Sequence, residues 1–292
     1  MSDNPYLAHH VSGPSYLSKR HRPTMRRQTI AKEVVEEIIP KPPLAYGNYP
    51  AYYGYRQSNE QRLDARLYHF KKEWFTNKRI IDVGCNAGWL TIEIGMLFRP
   101  IHIEGVDIDP SLIRKARKHQ SRKASLIKER DLEYFPVSCV ESFGFIPFIH
   151  PNQEEGLLPQ FPHNVSFRAG DWALESLPST EQGKVDVILA LSITKWIHLN
   201  SGDNGLKKFF RKCYHCLLDG GMLILEPQPL ESYQKRASTA EMQKHFSEIK
   251  LTPDLFSKYL IGPEIGFSRC QVLGNSTNES KGFQRPLYLF VK

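Results

Sequence analysis

The chain has 292 residues, a formal net charge of +8, 40% hydrophobic residues and five scattered cysteines. That length supports one sizeable core and the positive balance suits an anionic partner, while an odd, dispersed cysteine set argues against a disulfide scaffold and for a reducing compartment. No apolar run reaches the ~18 residues of a membrane span and no secretory start is visible, so membrane and export classes are not expected.

Residues 1–44, rich in Pro, His, Ser and Arg, read as a mostly disordered tail. Lys19, Arg20, Arg22, Arg26, Arg27 and Lys32 form a basic run without an acid, which suits a nuclear import signal, an RNA-gripping arm or a merely solvated tail. Residues 45–292 are expected to form one catalytic domain. Residues 46–56 carry five tyrosines in eleven positions. Such rings stack on bases and Arg56 adds a bidentate phosphate contact, or the segment is an aromatic arm packed over the domain. Leu63, Leu67 and Phe70 then recur at helical spacing, which predicts a helix with Arg62 and Arg66 on its other face.

Ile80, Ile81 and Val83 read as a buried strand, and Gly84 and Gly88 bracket a tight turn into a helix from Trp89. Glycines there let a ligand approach the backbone, so Gly88 counts with Gly84 as a ligand-binding residue. Asp107 ends the next apolar strand nineteen positions after Gly88, where an acid binds ribose hydroxyls. The loop Asp82-x-Gly84-x-Asn86-x-Gly88 resembles motif I of the class I S-adenosylmethionine methyltransferases. It lacks the Gly-Lys-Ser/Thr end of a P-loop, and Asn86 and Trp89 stand where a nicotinamide loop requires glycine. The fold expected is α/β and Rossmann-like: a mostly parallel seven-stranded sheet with helices on both faces.

Pro110 to His119 reads as a basic helix, and residues 120–163 as an insertion that interrupts the strand–helix alternation. Val165 to Phe167 resumes as a strand leading to Gly170-Asp171-Trp172; Asp171 suits an adenine amino group, and Trp172 either stacks on the ring or fills the core. Val185 to Leu191 has the apolar run of a central parallel strand. Ligands of open α/β sheets lie beyond the carboxyl ends of their strands, so Lys195, Trp196 and His198 fall where an acceptor belongs. Leu206 to Leu218 predicts a helix stopped by Gly220-Gly221, followed by a strand from Met222 to Leu225. Cys213 and Cys216 flank His215 without a second ligand pair, which favours packed thiols over a metal site. Residues 231–262 read as mostly helical, with closing strands near 267–273 and 287–291.

Seven segments together resemble the Bicoid-interacting-protein family of RNA 5′-phosphate methyltransferases: Tyr46-Gly-Asn-Tyr, Tyr53-Gly-Tyr-Arg56, Asp82-Val-Gly-Cys-Asn86, Val106-Asp-Ile-Asp109, Leu191 to Asn200, Glu226-Pro-Gln-Pro229 and Lys281 to Pro286. The resemblance covers residues 45–292 apart from the insertion. It implies S-adenosyl-L-methionine as cofactor, S-adenosyl-L-homocysteine as product, and a methyl group placed on the γ-phosphate of a small non-coding RNA 5′ triphosphate of the 7SK or U6 type. Tyr53, Arg62, Gly84, Cys85, Asn86, Asp107, Ile108, Asp171, Trp172 and Leu191 would line the cofactor pocket. Tyr52, Lys195 and His198 would serve the reaction, and Arg56, Trp196, Phe283, Gln284 and Arg285 would hold the RNA end. The family carries Asn-Tyr where this chain has Asp171-Trp172. A nuclear, monomeric chain working with RNA, and with a La-related protein in a ribonucleoprotein, completes what the resemblance implies.

The chemistry is consistent with that expectation. A phosphate oxygen is already anionic at neutral pH, so its attack on a sulfonium methyl requires positioning rather than a general base. Two alternatives remain: a methyltransferase for another acceptor, such as a protein, a small metabolite or an RNA 5′ monophosphate, and an RNA-binding scaffold with little turnover. The Asn-Pro-Pro-Tyr motif common for amino-group acceptors is absent.

Overall fold

The computed structural model of the chain describes residues 46–49, 63–126, 160–176, 182–275 and 285–292. The expected tail, the centre of the insertion, and Tyr52, Tyr53, Arg56, Arg62, Phe283 and Gln284 lie outside the described residues.

Strands β1 (Arg79–Val83), β2 (His102–Asp107), β3 (Val165–Ala169), β4 (Val185–Leu191), β5 (Leu217–Glu226), β6 (Arg269–Asn275) and β7 (Pro286–Val291) form one sheet in the order β3-β2-β1-β4-β5-β7-β6. The first five in that order are parallel, and β7 runs antiparallel between β5 and β6. This is the expected α/β, Rossmann-like arrangement, a mostly parallel seven-stranded sheet. The side-chain alternation of β4 divides the core. Val187, Leu189 and Leu191 join Phe75, Leu90 and Ile92 in one apolar cluster, while Ile188 and Ala190 join Phe209, Phe210 and Phe256 in another. A strand buried on both faces requires an apolar residue at nearly every position, each side chain contributing roughly 1.5–3 kcal/mol.

Helices α1 (Trp89–Leu97), α2 (Pro110–Leu126), α3 (Thr194–Cys216), α4 (Glu231–Gln234), α5 (Ala240–Glu248) and α6 (Phe256–Ile261) accompany the sheet. Three boundaries differ from the sequence expectation. The basic helix continues past His119 to Leu126: no Gly or Pro interrupts it, and Gln120 Nε2 donates to the carbonyls of Pro162 (2.9 Å) and Val165 (2.8 Å). The segment after β4, to which no element was assigned, is helical from Thr194 and merges with the expected Leu206 helix across a kink at Gly202 (φ 60°, ψ −170°). That helix ends at Cys216, and Gly220-Gly221 falls inside β5 rather than stopping a helix.

The segment before β1 departs further. It forms short 3-10 turns at Ala65–His69 and Lys72–Trp74, and Arg66 is buried rather than solvated. Its Nε and Nη2 donate to Asp64 at 2.9 and 2.7 Å, and its Nη1 lies 3.6 Å from Glu226. A buried guanidinium requires such acidic neighbours to offset desolvation. Cys213 and Cys216 are buried in α3, and no described helix is long and apolar enough to cross a membrane.

Glu93 of α1 is buried and accepts a 3.3 Å hydrogen bond from the Asp64 amide. Burial first, and then the nearby Asp64 charge, pushes its carboxyl up to about 7 against the opposing pull of that hydrogen bond, Lys123 and Arg66. A raised carboxyl contributes stability that is complete below its unfolded value and is lost as pH rises through about 7. Urea unfolding should therefore show a loss of roughly 2 kcal/mol from this group between pH 5 and pH 8. Glu93→Gln should flatten that slope; an unchanged slope in the variant would contradict the assignment.

Candidate active site

The carboxyl ends of β1, β2, β3 and β4 open into a cleft of about 270 Å³. Gly84, Asp107, Ile108, Asp171, Trp172 and Trp196 all line it. A smaller recess of about 50 Å³ shares Gly84, Asp107 and Trp196 with the cleft and adds Asn86, Leu191 and Ser192. Gly84 (φ 76°) and Asn86 (φ 52°) turn the loop back on itself, so that Gly84 N (2.7 Å) and Cys85 N (3.1 Å) donate to Val106 O. Gly88 caps α1 in a left-handed conformation. A Cβ there would lie 2.6 Å from the Phe167 ring, so Gly88 serves helix–sheet packing and does not line the cleft. The Cys85 side chain likewise packs into the core.

Asp107 accepts from Asn86 N at 2.8 Å and from Asp109 N at 3.0 Å. Burial raises its carboxyl despite these bonds, yet each oxygen retains a further lone pair for a ligand hydroxyl. Asp171 lines the cleft and accepts from Leu174 N. Trp172 is almost fully buried, edge-on to Phe209 at 5.9 Å. Lys212 lies 4.2 Å from its ring centroid and donates to its carbonyl at 2.6 Å. Trp172 therefore fills the core as well as walling the cleft.

Residues 46–49 cross this region as a strap. Asn48 Nδ2 donates to Asp109 at 2.9 Å, and Asn86 Nδ2 donates to Tyr49 O at 3.2 Å. Gly47 (φ 71°) lies so near the Trp196 indole that a Cβ would come within 2.0 Å of it. The strap residues Tyr46 and Asn48 were legible only as part of a tyrosine-rich stretch.

Beside the cleft stands a group of cations. Lys195, one residue into α3, is only 6% exposed and forms no ion pair among the described residues. Its Nζ donates to Ser232 at 3.3 Å and lies 5.1 Å from the Trp196 ring centroid. Burial first, then Arg285 and Arg236, pushes this ammonium down to about 8. Arg285 Nη1 donates to Ser192 Oγ at 2.7 Å, and Ser192 Oγ donates onward to Glu226 at 2.5 Å. Gln228, part of the Glu226-Pro-Gln-Pro229 segment but given no role by the sequence, accepts from Lys195 N and Thr194 Oγ1 (both 3.2 Å) and donates to Ser192 O.

His198 departs from its expected role. It is fully buried, donor or acceptor to Asp203 at 2.6 Å through Nε2, and packed edge-on to Tyr233. It lines neither the cleft nor the recess. Asp203 also accepts from Lys250 N and Leu251 N, so the pair fastens the Gly202 kink to the segment after α5. Burial lowers the imidazole despite the Asp203 charge.

A family profile described as Bicoid-interacting protein 3 matches residues 185–292. The 7SK snRNA methylphosphate capping enzyme of Mus musculus is 40% identical over 271 residues, covering 85% of this chain and 40% of the relative. The U6 snRNA methylphosphate capping enzyme Amus of Drosophila melanogaster is 37% identical over 252 residues, covering 85% of this chain and 74% of the relative. The pre-miRNA 5′-monophosphate methyltransferase of Xenopus laevis is 26% identical over 235 residues, covering 72% and 78%. The chain spans about two fifths of the length of the mouse and human 7SK enzymes.

A buried ammonium without a carboxylate partner among the described residues burdens the folded state. Lys195→Met should stabilise the ligand-free protein by about 1–3 kcal/mol at pH 7. Because the folded ammonium sits below its ordinary value, the wild type recovers stability as pH rises from about 8 towards 10.5, and the variant's advantage should shrink across that window. Thermal melts at pH 7 and pH 10 check this; a variant less stable at pH 7 would contradict it.

Proposed function

Because the chain belongs to the Bicoid-interacting protein 3 family, we propose that it is an S-adenosylmethionine-dependent enzyme that methylates the terminal γ-phosphate of a small RNA 5′ triphosphate. The observation that carries this reading is Lys195: a buried cation with no ion-pair partner among the described residues, adjoining Trp196 on the wall of the cleft. Such a charge is stabilised when an anion takes the missing place.

The cleft fits the cofactor chemically. Asp107 offers acceptors to ribose hydroxyls, Asp171 an acceptor to the adenine amino group, and the buried Asn48 Oδ1 has no hydrogen-bond partner among the described residues. Gly84, Asn86, Ile108, Trp172 and Leu191 supply the remaining walls, with Tyr53 and Arg62 completing them in this proposal. When bound, S-adenosylmethionine supplies a methyl group on a sulfonium, and S-adenosylhomocysteine leaves.

Lys195 and Arg285 hold the terminal phosphate, and Trp196 shields it from water. The phosphate oxygen is anionic before it reacts, so these residues orient it and need remove no proton. Ser192 and Glu226 hold Arg285 in place. Tyr52, Arg56, Phe283 and Gln284 belong in this reading to the RNA side. Small nuclear RNAs named for the relatives support a nuclear setting, served by the basic run from Lys19 to Lys32. A single chain per RNA and a La-related companion protein form part of the same proposal.

The test uses labelled S-adenosylmethionine and one RNA bearing a 5′ triphosphate, monophosphate or hydroxyl. Methyl should reach only the triphosphate form, resist phosphatase, and be released by pyrophosphatase. Transfer confined to the monophosphate would replace the substrate, and RNA binding without transfer would favour a scaffold.

A further inference from the structure

Lys195 is the inner end of a ladder that continues to the surface. Its Nζ lies 5.1 Å from the Trp196 ring centroid, and Trp196 meets Tyr49 edge-on at 5.9 Å and 64°. The outer face of Tyr49 carries Arg236, whose guanidinium carbon lies 5.2 Å from that ring centroid. Lys195 and Trp196 are buried, Tyr49 is half-buried and Arg236 is exposed. Cations on aromatic faces are held without neutralisation, because a ring supplies a quadrupole and no charge.

Arg236 follows α4, and its amide donates to Tyr233 O at 2.8 Å, which anchors the backbone to a fully buried residue. Among the described residues it forms no ion pair. Its field nevertheless reaches inward: it acts on both Lys195 and Tyr49, lowering each, while burial is the larger influence on both. Two positive groups, one deep and one at the rim, are thus joined by an aromatic wall. A linear anion carrying charge along its length satisfies both; a single phosphate in the inner position leaves the outer cation in water.

We propose that Arg236, presented on Tyr49, binds the phosphates behind the reacting one, and so selects a 5′ triphosphate over a 5′ monophosphate. The assignment rests on the proposed methyltransferase reading for the identity of the inner phosphate. Arg236 is a substrate-binding residue, and Tyr49 positions it. The planar guanidinium matters as well as its charge, since it can lie on the ring while its N–H groups face phosphate oxygens.

Equilibrium binding of one short RNA with a triphosphate, monophosphate or hydroxyl 5′ end, measured by fluorescence anisotropy without turnover, tests the assignment. The wild type should prefer triphosphate to monophosphate, and Arg236→Gln should remove about tenfold of that preference. Hydroxyl-RNA affinity should stay within about twofold, and the salt slope for triphosphate RNA should fall by about one. Arg236→Lys should restore only part of the preference. S-adenosylhomocysteine affinity, measured by calorimetry on each variant, reports an intact cleft and should not change. Equal loss for all three ends, or an undiminished triphosphate preference, would overturn the assignment. A wild type that prefers the triphosphate yet transfers no methyl would overturn the capping reading and leave Arg236 as the selector; a wild type indifferent to the 5′ end would overturn both.

Discussion

A cation held in a poorly solvated place without a counter-charge among the described residues is the constraint on which the site depends. Lys195 follows directly from β4 through Ser192 and Ile193, at the carboxyl edge where a parallel sheet presents its ligands. The start of α3 adds the positive end of a helix dipole, which disfavours a lysine and favours an anion. The arrangement therefore costs stability until a phosphate arrives, as expected where binding rather than folding has set the residue.

Holding that charge in one position requires a rigid frame, and the frame is polar. Ser192 sits at φ 63°, an unfavourable region for a residue with a side chain. Its carbonyl, amide and hydroxyl are all engaged, by Gln228, the Glu226 carbonyl, and Glu226 with Arg285. Glu226 in turn faces Arg66, which Asp64 grips. A continuous chain of polar contacts, buried up to the half-buried Arg285, thus runs from the segment before β1 to the residue preceding β7. Breaking one member would leave its neighbour buried and unpaired, so the chain fixes geometry more than it adds stability.

Much of the scaffold was legible in the sequence because it rests on local signals. The apolar run of β4, the turn at Gly84 and the acid at Asp107 all depend on periodicity or spacing, and the structure contains each. Side chains whose role depends on distant partners were not legible in that way. Arg66 reads as a solvated helix residue until Asp64 and Glu226 surround it. His198 lies three residues after Lys195, and its placement depends on Asp203 beyond the Gly202 kink, a partner that no local spacing announces. Gly88 fits a ligand loop in sequence, while the Phe167 ring that requires it arrives from a strand some eighty residues away. Arg236 carried no motif, and Gln228 stood within Glu226-Pro-Gln-Pro229 without a role of its own, since their meaning comes from Tyr49 and Lys195 across the sheet edge.

The most direct test is a titration of the Lys195 ammonium by NMR, with ¹³C at the lysine ε carbon and Lys195→Met for assignment. The ligand-free protein should titrate near 8, and 5′-triphosphate RNA with S-adenosylhomocysteine should move that value upward, whereas 5′-hydroxyl RNA should not. An ordinary lysine titration in the free protein, or one indifferent to the triphosphate, would contradict the view that this buried cation awaits a phosphate.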